Sequence, residues 1–183
     1  MASQITDSEK SRNILQGSSA LAEAWTGRAA DVRSASVRVS NRLHAHTMAI
    51  RDANKKAHWK KSGSTSYQFH LLFDKHNVQA AITDTIAERV QTLGGITFAL
   101  AQDFAKESSI AKASRRREPV LAQLTRIPAY ETILIEVRSL ARIGTESDDD
   151  GTNNLIIRQV ARNNDLHSYF NGEQLTSQIH GLA

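Results

Sequence analysis

Helix breakers are scarce in this chain. With two prolines and nine glycines in 183 residues, most of the sequence holds nothing that ends a helix, so the architecture open to it is one of long helices. Leu71, Leu72, Val78, Ile82, Ile86 and Val90 recur at helical spacing, and the run stops at Gly94 and Gly95, the residue type that commonly closes a helix. A first helix is predicted over residues 30–60, broken by "KSGSTS", and a second over 67–93. The third covers 120–142, with Pro128 at a kink or at its true start. The fourth runs over 153–170 behind "ESDDDGTNN", an acidic lead that suits a helix N-terminus. The connection "ITFALAQDFAKESSIAKASRRREP" is too long to be structureless in a compact domain, and a short helix near 98–106 relieves it. The fold class is therefore all-α, a four-helix bundle with one long crossover, a layout that often holds metal ions on inward carboxylates and histidines. Residues 1–28 read as a flexible or partly helical extension, 29–172 as the bundle and 173–183 as a short C-terminal tail.

Composition narrows the chemistry. There is no cysteine, which excludes disulfides and thiolate metal sites and leaves histidine and carboxylate as the metal ligands. No apolar run approaches the roughly 18 to 20 residues of a membrane span, and "MASQITDSEK" lacks the layout of a signal peptide. No membrane partner and a cytoplasmic location are expected. The net charge is +4 with pI about 9.6, which permits contact with nucleic acid without requiring it. Nine Lys or Arg lie between residues 28 and 61 against two acids, Asp31 and Asp52, whereas residues 144–183 hold six acids against Arg158 and Arg162.

Two sets of residues have ligand spacing. His70 and Asp74 stand at i and i+4 on one face of the second helix, and His58, at the end of the first, can reach that face across the turn. Asp84 and Glu88, in "DTIAER", have the same i, i+4 relation. Imidazole with hard carboxylates suits Fe(II), and the carboxylates stabilise Fe(III). Taken singly, each pair also fits exposed charge on an amphipathic helix, and Trp59 beside His58 also fits a core position.

The order of these motifs adds a resemblance. "KKAHWKKSGSTSYQFHLLFDKH" followed by "DTIAERVQTLGG", with "DDDGTNN" leading into the last helix, is similar to the signature of Dps, the DNA-binding proteins from starved cells, a branch of the ferritin-like superfamily. The similarity extends over residues 43–170. It implies a ferritin-like bundle assembled as a hollow dodecameric shell of identical subunits. It also implies oxidation of Fe(II), preferably by hydrogen peroxide, at sites shared by two-fold related subunits, with storage of ferric mineral inside. His58, His70 and Asp74 would come from one subunit and Asp84 with Glu88 from its partner, with Trp59 close to the iron. Zinc is the other metal expected at such a site. Asp150 matches an acidic position of the family's three-fold pore, where residues 148–150 would concentrate cations, or else cap the helix.

The chain departs from the family pattern in spacing. Asp74 to Asp84 is one residue short, and one residue is about 100° of helical rotation. Alignment without a gap places Thr85 and Arg89 at the ligand positions. A local helix irregularity that restores the phase is the favoured expectation; His76, in the affected stretch, reads first as a solvated histidine and second as an alternative ligand. Asn154 stands where another pore aspartate is often found. DNA binding is the weaker expectation, because the first thirty residues carry three bases and three acids and "SQIHGLA" has no lysine or arginine; residues 28–61 and the arginines at 115–117 are the candidates for phosphate contact. The competing reading is a shell with an altered site, acting as a DNA-associated or other-metal-binding protein.

Overall fold

The computed structural model describes residues 21, 26–59, 67, 70–71, 78–98, 100–110, 127–147 and 149–180. The "KSGSTS" break, residues 120–126 and the arginines at 115–117 lie outside them. Helix α1 spans Ala30–Trp59, α2 Val78–Thr92, α3 Ala101–Glu107 and α4 Ile127–Glu146. The last rod is α5 (Asp150–Leu155), a π-helical segment (Ile156–Ala161) and α6 (Arg162–His180) in unbroken succession. Tyr67, His70 and Leu71 are helical as well. Four long rods with a short helix in the crossover match the predicted layout, with shifted bounds: α4 runs to Glu146, past the expected end at residue 142, and the last rod runs from Asp150 to His180, past the expected end at Phe170 and through Gly172.

The bundle is held by one apolar seam. Val39, Leu43 and Ile50 of α1 pack with Ile82 and Ile86 of α2, Ile133, Val137 and Leu140 of α4, and Ile156 and Val160 of the π segment. Each such side chain contributes about 1.5–3 kcal/mol on burial, so the seam fixes which faces of the rods turn inward. Tyr130 enters the same seam with a polar end: its hydroxyl accepts from Asn54 Nδ2 at 3.1 Å, tying α4 to α1.

The end of α2 is built tightly. Gly94 takes φ +80, Gly94 N–H donates to Gln91 O at 2.8 Å and Gly95 N–H to Val90 O at 2.9 Å, which is the paired closure of a Schellman turn. A Cβ on Gly95 would lie 2.6 Å from Val37 Cγ1, so the glycine lets the turn lie directly on α1. Two side chains of α1 then grip the outgoing strand of backbone: Arg33 donates to Leu93 O at 3.1 Å and Asn41 to Ile96 O at 2.9 Å. Further along the crossover, α3 buries Phe104 edge-on against His44. Among the described residues, no helix is long and apolar enough to cross a membrane.

Candidate metal centre

α1 delivers His58 in its last turn. Its Nδ1 is buried and finds no hydrogen-bond partner among the described residues, a condition that normally signals a missing partner. His70 lies against it, with ring centroids 3.9 Å apart and planes inclined by 33°. The two histidines singled out from spacing therefore meet. Trp59 is not core: it is 69% exposed, with the Lys55 ammonium 5.8 Å from its ring centroid. Asp74 and His76 lie outside the described residues.

Asp84 and Glu88 occupy the exposed face of α2, away from Ile82, Ile86 and Val90, which are buried. Among the described residues, no group of three or more histidines and carboxylates comes together within the chain, so the histidine pair and the carboxylate pair stay separate here. α2 is regular α-helix from Val78 to Thr92, so the local irregularity expected from the sequence is not in this stretch. The residues of the ungapped alternative are engaged elsewhere. Thr85 turns its hydroxyl back to Ala81 O at 2.9 Å. Arg89 points the other way from Glu88, donating from Nη2 to Asp149 at 2.7 Å and from Nε to Thr152 Oγ1 at 2.8 Å.

Asp149 is the centre of a buried polar cluster that the sequence reading missed. It is fully buried, caps α5 by accepting from Thr152 N–H at 3.2 Å and from the Thr152 hydroxyl at 2.6 Å, and pairs with Arg28 at 3.0 Å as well as with Arg89. Burial alone would raise its pKa; the Thr152 hydrogen bonds and the two guanidiniums outweigh that and hold it below the ordinary carboxylate value. The acidic run thus divides. Asp149 is the capping residue and is neutralised from within, while Asp150 and Asn154 are exposed on the first turns of the rod; residue 148 lies outside the described residues. The signal was present in the Asp149 to Thr152 spacing, which is that of an N-cap.

Three more histidines are buried and neutral at pH 7. Burial, with Arg51 adding and Asp84 opposing, pushes His44 down to about 4. Burial lowers His46 against the pull of Glu136; its Nδ1 is 3.2 Å from Ser108 Oγ. Burial alone pushes His167 down to about 4, where it meets the Tyr130 ring edge-on.

The fold has known counterparts. DpsC from Streptomyces coelicolor superposes with a TM-score of 0.85 at 35% identity, over 88% of this chain and 95% of that one. The chain belongs to the Dps family. A Dps protein from Vibrio cholerae O1, described as a member of a broad superfamily of ferritin-like diiron-carboxylate proteins, shares the fold at TM-score 0.78 and 18% identity, over 85% of this chain and 98% of that one. In sequence, an uncharacterised protein from the bpoA2 5′ region of Kitasatospora aureofaciens is 41% identical over 113 residues, 61% of this chain and 75% of that protein. No protein-family model matches. The ferritin-like bundle expected from the sequence is thus the fold this Dps-family chain adopts.

Proposed function

We propose that this protein is a ferroxidase and iron store. Fe(II) is its substrate, bound where His58, His70 and Asp74 of one subunit face Asp84 and Glu88 of a two-fold neighbour, in a hollow shell of twelve copies in the cytoplasm. The observation that carries the reading is the split donor set: a preassembled histidine pair at the end of α1 and a carboxylate pair on the outward face of α2, which only a second copy can join. Exposed Trp59, Tyr67, Leu71, Leu166, Tyr169 and Phe170 supply apolar surface of the kind that copies bury.

The chemistry follows from the ligands. Neutral imidazoles accept Fe(II), and the carboxylates favour the ferric product. Two Fe(II) each give up one electron, and hydrogen peroxide takes these with two protons to leave as two waters. Asp150, exposed at the start of the last rod, draws cations inward, and the ferric product is held as mineral inside the shell. Contact with DNA draws less support, since Arg28, Arg33, Arg42 and Arg51 are engaged by Asp149, Leu93 O, Glu136 and Asp52.

The test is anaerobic loading of the assembled protein with Fe(II), then peroxide, following ferric absorbance against a protein-free control. Fast oxidation with a soluble product is expected, and His58→Ala with His70→Ala should slow it while the shell stays assembled. A wild type no faster than the control would refute the reading.

A further inference from the structure

We propose that Arg89 is a positioning residue for the iron site: clamped to Asp149 and Thr152, it sets the rotation of α2 that turns Asp84 and Glu88 toward the neighbouring subunit. This rests on the ferroxidase reading above. Glu88 and Arg89 are adjacent, so their side chains diverge by about 100° around the helix, and fixing one fixes the other. Arg89 is the fixed one. Its side chain is 15% exposed, and its guanidinium is held at two corners, Nη2 by Asp149 at 2.7 Å and Nε by Thr152 Oγ1 at 2.8 Å. A planar fork held twice cannot swivel as a point charge can.

The receiving side is itself rigid. Thr152 Oγ1 donates to the other Asp149 oxygen at 2.6 Å, and Arg28 binds Asp149 at 3.0 Å. Gly151 clears the space, since a Cβ there would lie 3.1 Å from Arg89 Nη2.

Apolar packing of Ile82, Ile86 and Val90 holds α2 in the bundle, but that force is non-directional. A carboxylate stands about 6 Å from its helix axis, so a 20° roll moves it by about 2 Å. Metal ligands tolerate about 0.2 Å. The clamp therefore adds a directed angular restraint to the coarser one that the seam supplies.

The experiment compares wild type, Arg89→Lys, Thr152→Val and, as a control remote from α2, Arg42→Lys, which alters the Arg42–Glu136 pair. Assembly is checked by light scattering. The readouts are Fe(II) dependence of peroxide-driven oxidation and the visible spectrum of bound Co(II). Arg89→Lys, which keeps the charge and loses the fork, should assemble, raise the half-saturating Fe(II) on the order of tenfold and change the Co(II) band; Thr152→Val should shift both the same way by less. Arg42→Lys should shift neither. An active wild type whose kinetics and Co(II) band are matched by Arg89→Lys overturns this inference alone. Should Arg89→Lys not assemble, an assembled Thr152→Val identical to wild type overturns it equally. An inactive wild type overturns this and the ferroxidase reading together.

Discussion

Acid should weaken this bundle through His167, and the size of the effect follows from its surroundings. The side chain is buried, 5% exposed, its ring edge-on to Tyr130 with centroids 5.8 Å apart. Burial lowers its pKa from 6.5 to about 4. The unfolded chain therefore takes up the proton first as pH falls, and stability is lost between pH 6.5 and 4 and is level below. The whole difference corresponds to about 3 kcal/mol, with about 2 kcal/mol gone by pH 5. His44 adds a loss in the same window, so a single acid titration would mix the two. Comparing wild type with His167→Gln isolates the term, because His44 and subunit association act on both at fixed protein concentration. Urea unfolding followed by circular dichroism at pH 7, 6, 5 and 4.5 should show the two stability curves converging toward acid, the wild type losing about 2 kcal/mol more than His167→Gln between pH 7 and 5. Parallel curves would mean that His167 is protonated inside the fold without cost, and the burial reasoning would fail.

Two packing features give further tests. Gly95→Ala places a methyl within 2.6 Å of Val37 Cγ1 and 3.0 Å of Val90 Cγ1 and should cost about 1–3 kcal/mol; Val37→Ala in the same chain should recover part of that, and strictly additive thermal shifts would refute the clash. Tyr130→Phe takes away the hydroxyl bonded to Asn54, which is 6% exposed, and should cost about 1–3 kcal/mol; an unchanged urea midpoint would show that Asn54 finds another partner.

The rods were legible because they depend on local properties. The absence of breakers, the helical spacing of Ile82, Ile86 and Val90, and the glycine pair at 94 and 95 each act within a turn or two of themselves, and the structure puts α1 and the end of α2 within a residue of the prediction. The end of the last rod was not legible: "NGEQLTSQ" has no apolar stripe and contains Gly172, yet the helix continues through it. A single glycine costs a helix about 1 kcal/mol, too little to stop one already propagating.

The site shows the same division at longer range. The His58 and His70 pair could be anticipated because the two stand close together in sequence. The partnership of Arg89 with Asp149, sixty residues away in sequence, left no periodic trace, since one ion pair depends on how two distant helix ends come to lie together. That contact bears directly on the shortened spacing. Read along the sequence, a missing residue between Asp74 and Asp84 threatens the carboxylates, because helical phase is carried forward residue by residue. In the fold, phase is also imposed from behind, by Val90 and Leu93 against Val37 and by Arg89 on Asp149. With α2 anchored downstream, Asp84 and Glu88 keep their outward face. On the proposed ferroxidase reading, the constraint is then one of reach, whether His70 arrives opposite a neighbour's carboxylates. The contact between the His58 and His70 rings, with centroids 3.9 Å apart, shows that within the subunit the histidine half of that reach is met.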